Sequence, residues 1–317
     1  MITQRKTIAE IADAWKQDKK AFVKLSTYSA YILILQNHIL PYFGDRTEIR
    51  EYDVQQFAIR KMEAGLCQKS VKDILIVLKM IVRFGAKYGW CDYVEWDVRY
   101  PSQQDKKELS VLTVDNHRKV LEYVQSNFTF KNLGIYICLT GGLRIGEVCA
   151  LQWKDLDVDH GVIHVCKTVE RIYIVDGDSR RTQLVIGNPK TLNSMRDVPM
   201  TSDLNRMLKP FRRVMNPDYY LLTNEAVPTE PRTYRNYYKR LMRRLGIPPL
   251  KFHGLRHSFA TRCIESNCDY KTVSVILGHS SINTTLNLYV HPNIEQKKKC
   301  IDKMFHSIKK VSAGAAS

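Results

Sequence analysis

A long hydrophobic run is missing from this chain of 317 residues. Its most apolar stretch, ILIVLKMIV from Ile74 to Val82, contains Lys79. It also falls far short of the roughly 20 apolar residues that a membrane-spanning helix needs. The N-terminal segment MITQRKTIAEIADAWK lacks the apolar core of a signal peptide. Cys-x-x-Cys pairs are absent, although there are eight cysteines: Cys67, Cys91, Cys138, Cys149, Cys166, Cys263, Cys268 and Cys300. Most of them lie in apolar or helical contexts. The pattern points to reduced thiols in a cytoplasmic protein rather than to a disulfide frame or a zinc cluster. No internal repeat or low-complexity tract is present, and only the final VSAGAAS reads as a disordered tail. Acidic residues are scarce: 32 Asp and Glu stand against 49 Lys and Arg, a net charge of +17 and a pI near 9.5.

Such a balance suits a polyanionic partner. Nucleic acid is the first candidate, ahead of an anionic membrane surface, and a merely soluble basic protein would give the same count.

The first hundred residues are patterned as helices. Thr7 and Glu10 form a capping box ahead of Ile8, Ile11 and Trp15. A second run holds Tyr28, Tyr31, Ile32, Leu35 and Ile39, with Pro41 and Gly44 expected to end it. A third spans about 51–64 and stops at Gly65. A fourth is expected to begin near Ser70 and to reach Gly85 or Gly89, with Val71, Ile74, Leu75, Leu78 and Ile81 at helical spacing. Together they predict a small bundle. Between Asp97 and Ser110 the periodicity stops in a polar stretch that reads as a linker. A new helix starts after Thr113 and runs through Val120, Leu121 and Val124. Helical pattern lasts to about Leu151, and from Val162 to Pro199 β-branched runs broken by Gly, Asp and Asn predict strands. Helices resume after Ser202. The fold class expected is therefore mainly α with a small antiparallel β-sheet, divided into 1–100, a linker at 101–110, and 111–317.

Four segments of the second part hold chemistry. Arg144 in TGGLRIGEVCAL follows two glycines at an apparent helix start. There a phosphate could approach closely and meet a planar guanidinium fork. A surface ion pair would leave the same local sequence. Lys190 in NPKTLNSMRDVPM reads as the tip of a turn between strands TQLVIG and RDVPM, from which a lysine could protonate a leaving oxygen. In HGLRHSFATRC, His253 and Arg256 share a helical face, fit to clamp a phosphate and move a proton. His253 and His257 also have the i, i+4 spacing of a zinc helix, yet lack the Glu of His-Glu-x-x-His. In LGHSSINTTLNLYVHP, His279 follows Gly278, and Tyr289 sits in the next short helix. A phenol near pKa 10 is a weak nucleophile and needs a base or cationic neighbours. One tyrosine of 17 signifies little alone. Together, two arginines, a lysine, two histidines and a tyrosine make an inventory for transesterifying a phosphodiester.

In order, spacing and local sequence these segments resemble the tyrosine recombinases, the family of phage and transposon integrases and Xer enzymes. Arg144, Lys190, His253 with Arg256, His279 and Tyr289 meet the family's pattern in sequence. The resemblance covers about 113–310, and the helical first part resembles the family's core-binding domain more loosely. Gly254 departs from the Asp often found there in integrases, and the stretch between Lys167 and Gly187 is longer than a minimal hairpin.

The resemblance implies two domains closing on DNA as a C-shaped clamp. Arg144 and Arg256 would hold the phosphate, and Tyr289 would form a 3′-phosphotyrosine. Lys190 would act as general acid, His253 as acid/base partner of Tyr289, and His279 would orient the phosphate. It implies no cofactor, neither ATP nor metal; no arm-binding domain is expected, because the first helix starts almost at once. It also implies a homotetramer on two double-stranded DNA sites, with a directionality factor as a further partner, in the cytoplasm at the nucleoid and without a membrane. The segment NIEQKKKCIDKMFHSIKK, with Ile294, Ile301, Met304, Phe305 and Ile308 as its apolar set, would dock on a neighbouring protomer or on its own domain. Lys297, Lys298 and Lys299 would face solvent or DNA. Lys69, Lys72, Arg235, Lys239, Arg243 and Arg244 are the candidate phosphate contacts. Integration and excision of a mobile element come first as the outcome, then inversion or Xer-like resolution. A type IB topoisomerase and a non-catalytic DNA-binding regulator are the competing classes.

Overall fold

A computed structural model describes residues 4–93, 95–101, 110–176, 179–189, 192–289, 298, 301–302 and 304–306. The chain folds as two compact units, one of residues 1–107 with 170–185, the other of residues 108–169 with 186–317.

In the first unit, α1 (Ile8–Phe22) starts at the expected capping box. Thr7 Oγ1 accepts from the Glu10 amide, and the Glu10 carboxylate accepts from the Thr7 amide at 2.8 Å. The second helical run passes through Pro41 and ends at Gly44, the C-cap of its last piece. α2 (Leu25–Ile34) passes through a π-turn over Leu35–Ile39 into α3 (Leu40–Phe43). The Leu40 amide reaches back to the Leu35 carbonyl. This wider turn directly precedes Pro41, where an α-ladder would lose a donor and meet the pyrrolidine ring. α4 (Glu51–Glu63) follows, and α5 (Gln68–Lys87) begins two residues before Ser70, with Cys67 at its N-cap.

The helices enclose one apolar core. Ile8, Ile11 and Trp15 of α1 join Leu35, Ile39 and Phe43, Val54 and Phe57 of α4, and Val71, Ile74, Leu78 and Ile81 of α5. Tyr42, Phe43 and Phe57 pack with ring centroids 4.7–5.0 Å apart. The stretch expected to open the linker is tied down at its start. The Arg99 amide donates to Gln55 Oε1, Gln55 Nε2 donates to the Arg99 carbonyl, and Trp96 and Tyr100 pack on the core. Residues 102–109 lie outside the described residues.

In the second unit, α6 (Val114–Ser126) is capped by Thr113, as its sequence predicts, and packs on α7 (Phe130–Gly141). Most residues of α7, from Asn132 to Leu139, are buried on all sides of the helix. After α8 (Ile145–Ala150), the strands β1 (Leu156–Asp157), β2 (Val162–Val165) and β5 (Arg196–Pro199) make an antiparallel sheet in the order β1-β2-β5. Ile163 pairs with Leu156 on one side and Val198 on the other.

The long strands β3 (Thr168–Asp176) and β4 (Ser179–Gly187) form a two-stranded sheet of their own among the described residues, and residues 170–185 belong to the first unit. The Tyr173 amide there donates to Ser29 Oγ at 3.0 Å. β4 and β5 are therefore not two arms of a hairpin. The segment holding Lys190 links two separate sheets, because β5 finds its partner in β2. Lys190 itself lies outside the described residues.

Four helices complete the second unit before the C-terminal segment: α9 (Ser202–Leu208), α10 (Pro231–Arg244), α11 (His253–Glu265) and α12 (Tyr270–Leu277). A fifth, α13 (Ile282–Tyr289), ends at the candidate tyrosine. Among the described residues no helix is long and apolar enough to cross a membrane. The seven described cysteines are free thiols, two of them exposed.

Candidate active site

The site is organised by the C-terminal end of α12. A helix leaves its last carbonyls without intrahelical partners, and that end has the negative pole of the helix dipole. Here three consecutive carbonyls each accept from a different arginine. Ile276 takes Arg196 Nε at 2.5 Å, Leu277 takes Arg256 Nη2 at 2.6 Å, and Gly278 takes Arg144 Nη2 at 3.3 Å. Gly278 makes this possible by adopting the left-handed conformation at φ +66°. An added Cβ there would lie 2.9 Å from the Asn193 carbonyl and 3.0 Å from Arg196 Cδ.

Arg144 is the N-cap of α8, as expected from its sequence. The anion at that helix start is internal: Glu147 accepts from the Arg144 amide at 2.9 Å and from Arg144 Nη1 at 2.7 Å. The same carboxylate forms a two-bond pair with Arg196 at 3.0 and 3.1 Å. Both side chains of this second pair are almost wholly buried. Burial would raise the Glu147 pKa, but Arg196 and then Arg144 outweigh it and hold the carboxyl below its usual range. The glycine before Leu143 plays a different part from the one its sequence suggests. Gly142 is left-handed at φ +66°, but the space a Cβ would fill is taken by Phe259 and Leu277, so the close approach is between helices.

Arg256 points from α11 into the core and is 2% exposed. Its Nη1 donates to the Gly142 carbonyl at 2.9 Å, so its fork is locked between the ends of α7 and α12. Burial and then Arg144 pull its pKa down to about 9, which still leaves it cationic at neutral pH. Three guanidiniums thus surround one carboxylate, an excess of positive charge suited to a phosphate diester.

His279 directly follows Gly278, and its Nδ1 meets the fully buried Thr285 hydroxyl at 2.8 Å. Burial, then Arg256 and Arg144, push its imidazole down to about 4, so it is neutral at pH 7.

Tyr289 packs against Phe259, Ala260, Val273 and Leu277 and is 8% exposed. Burial pushes its phenol up, opposed by Arg256 and Arg144, so it rests protonated. Its hydroxyl meets His257 Nδ1 at 2.6 Å. The resemblance to the tyrosine recombinases implies this partnership for His253. His253 instead lies one turn earlier on α11 and touches the His257 ring edge to face, with centroids 4.5 Å apart. Burial, then His257, Arg256 and Arg144, push the His253 imidazole down; as its surface opens to solvent, the crowding of positive charge sustains that direction.

The structure brings Arg144, His253, Arg256, His279 and Tyr289 to one place, and Lys190 is outside the described residues. Glu147, Arg196 and Thr285 were not singled out in the sequence. Glu147 had a signal, three residues after Arg144 on the same helix face, whereas Arg196 reads as an ordinary strand residue. The i, i+4 pair of histidines serves a ring contact and a tyrosine hydrogen bond.

The candidate phosphate contacts fall on two helices. Lys69 and Lys72 are exposed on α5, with the Lys72 ammonium 4.8 Å from the Tyr100 ring centroid. Arg235, Lys239, Arg243 and Arg244 are exposed on α10, whose other face buries Tyr234, Tyr238, Leu241 and Met242. Arg244 Nη1 donates to the Tyr123 hydroxyl at 3.0 Å. Of the C-terminal segment, Ile301, Met304 and Phe305 are described and exposed, as is Lys298. Ile294, Lys297, Lys299 and Ile308 lie outside the described residues.

Similarity to known proteins agrees with this geometry. Residues 110–296 match the phage integrase family, and residues 7–62 match the phage integrase N-terminal SAM-like domain. The ICEBs1 integrase of Bacillus subtilis is 28% identical over 300 residues, covering 89% of this chain and 78% of that protein. A XerC-like tyrosine recombinase of Caldanaerobacter subterraneus subsp. tengcongensis is 27% identical over 80% of this chain and 70% of its own length. Among solved structures, the Tn1549 transposon integrase in complex with transposon right end DNA has a TM-score of 0.76 at 22% identity, over 94% of this chain and 99% of that one. A lambda integrase tetramer bound to a Holliday junction has a TM-score of 0.63 at 17% identity, over 92% and 80%. With more than half of its length matched, and a tyrosine set against a ring of arginines, the chain belongs to the phage integrase family and is an enzyme of the tyrosine recombinase class.

Proposed function

We propose that this recombinase cuts and rejoins DNA at specific sites through Tyr289, and that its task is to integrate and excise a mobile element. The observation that carries the reading is the placement of the Tyr289 hydroxyl, buried and hydrogen-bonded, within the field of Arg256 and Arg144. Arg144 and Arg256 hold the scissile phosphate and stabilise the charge that develops on it. Tyr289 Oη bonds to phosphorus, the bond to the 5′ oxygen breaks, and Lys190 protonates that oxygen. His279 orients the phosphate through Nε2, and His253 lies beside the same group. A 5′ hydroxyl from a second strand then reverses the step, and strand exchange passes through a Holliday junction. The phosphotyrosine keeps the energy of the broken bond.

The mobile-element assignment is supported by the similarity to the ICEBs1 integrase and, at 24% identity, to the transposase of transposon Tn916 from Enterococcus faecalis. In this reading residues 1–100 are the core-binding domain and 111–317 the catalytic domain, with residues 170–185 grouped in the first unit. Four protomers act on two DNA sites, helped by the exposed apolar residues Ile301, Met304 and Phe305. Lys69, Lys72, Arg235, Lys239 and Arg243 contact the DNA backbone.

Covalent capture tests the proposal. Cells expressing the chain or its Tyr289→Phe variant are denatured rapidly, and DNA still attached to protein is sequenced. Adducts at the ends of one element, absent from the variant, are expected. Adducts at a chromosomal resolution site would point to a Xer-like role, and scattered adducts to a topoisomerase. Adducts that persist in the variant would overturn the nucleophile.

A further inference from the structure

We infer that His257 is the catalytic base of Tyr289: it accepts the phenolic hydrogen through Nδ1 and takes the proton as the oxygen attacks phosphorus. The inference rests on Tyr289 being the nucleophile and goes beyond it, since the family pattern gives the proton-transfer role at this position to His253.

Geometry carries the argument. A base must lie within hydrogen-bonding reach of the proton it removes. The His257 Nδ1 to Tyr289 hydroxyl distance is 2.6 Å, and the two ring centroids are 5.6 Å apart. His253 makes an edge-to-face ring contact with His257, and among the described residues the hydrogen bond at the Tyr289 hydroxyl goes to His257. His257 also adjoins Arg256 in the chain. The arginine's fork is fixed by the Gly142 and Leu277 carbonyls, so one turn of α11 sets the phosphate clamp and the nucleophile's partner in a single frame. The groups facing His257 are His253 and Arg256 on its own helix, Tyr289 on α13 and, through its charge on His253 and Tyr289, Arg144. α7 and α12, which also pack on α11, bring the carbonyls that hold Arg256. Burial and then Arg256 lower the His257 pKa, which keeps the imidazole neutral and able to accept at pH 7.

The step balances. The Tyr289 O–H bond breaks and its proton passes to His257 Nδ1. The Oη–phosphorus bond forms, the phosphorus–O5′ bond breaks, and the 5′ oxygen takes a proton from the general acid. The imidazolium returns its proton to Tyr289 when the second strand attacks.

The test is single-turnover cleavage of a nicked suicide DNA substrate by the full chain. His257→Phe keeps a ring and removes the acceptor. His257→Asn places an amide oxygen near the Nδ1 position, so it can accept a hydrogen bond but take no proton. Both are expected to cleave at least about tenfold more slowly, within the range of about 10²–10⁴ typical of acid–base catalysis, while binding DNA as the unaltered chain does. The acid limb of the pH–rate profile is expected to vanish in His257→Asn. A rate within tenfold of wild type in either variant would overturn the proposal. So would an acid limb that survives in His257→Asn, since His253 is still present there. Should the variants fail to fold, nitrogen-15 spectra of histidines in the unaltered chain decide. Nδ1 of His257 bare of hydrogen and shifted by Tyr289→Phe supports the inference; Nδ1 protonated overturns it. Tyr289→Phe itself must give no adduct. If it does, the proposed function has failed, an outcome distinct from a dead Tyr289→Phe beside active His257 variants.

Discussion

Glu147→Gln should uncover how much of the arginine cluster is held by its single internal carboxylate. Glu147 is bonded twice to Arg196 and twice to Arg144, and it and Arg196 are almost wholly buried. Removing one member of a buried ion pair leaves the other charge uncompensated, at a cost of about 3–5 kcal/mol. The amide still offers one oxygen, so the lower end, about 3 kcal/mol, is expected. For a unit of this size each kcal/mol is worth about 2–4 °C in melting temperature, so the variant should melt roughly 6–12 °C lower at pH 7.

The pH dependence has a fixed sign. The folded-state pKa of Glu147 lies below its ordinary value of 4.5, so its contribution is complete above that value and disappears as pH falls through the folded one. The gap between variant and wild type should therefore close on acidification. DNA gives a second signature. A phosphate entering the cluster supplies the negative charge that the variant lacks, so bound DNA should raise the variant's melting temperature more than the wild type's. Thermal melts across pH, with and without DNA, are the assay. A variant that melts within about 2 °C of wild type at neutral pH, against the sensitivity above, would refute the view that this carboxylate is the cluster's counterion.

Two further outcomes are expected. Gly278→Ala forces a side chain into the left-handed region and against the Asn193 carbonyl and Arg196. It should destabilise by about 1–2 kcal/mol from the backbone alone and slow cleavage further, because the same residue registers three arginines; an unchanged melt and rate would show the α12 terminus to be tolerant. Replacing Arg235, Lys239 and Arg243 on α10 with Ala should flatten the log–log salt dependence of DNA binding by about 0.9 for each lost phosphate contact, and an unchanged slope would remove α10 from the interface.

The sequence by itself determined what is local. Thr7 and Glu10, or Thr113, start helices because a threonine hydroxyl, carried on Cβ close to its own backbone, can reach a free amide of the first turn. The β-branched runs between Val162 and Pro199 marked strands, and Arg144, Lys190, His253, Arg256, His279 and Tyr289 offered an inventory for phosphodiester chemistry, because residue types and their spacing survive without coordinates. Of the two residues expected to end the second run, Gly44 does so, whereas Pro41 is carried inside it just after a π-turn that the residue pattern does not reveal.

Only the tertiary structure decided partners. Arg256 finds the Gly142 carbonyl 114 residues away, and Arg196 finds Glu147 49 residues away. Nothing in the short-range pattern of MRDVPM sets that arginine apart from any other strand residue. The strand pattern could not say that β5 pairs with β2 and leaves β3 and β4 to each other, since each edge is chemically alike. The choice between His253 and His257 was closed to the sequence as well. Residues four apart share one helix face, and it is the packing of α13 against Phe259 and Leu277 that brings the tyrosine hydroxyl to the second ring and not the first.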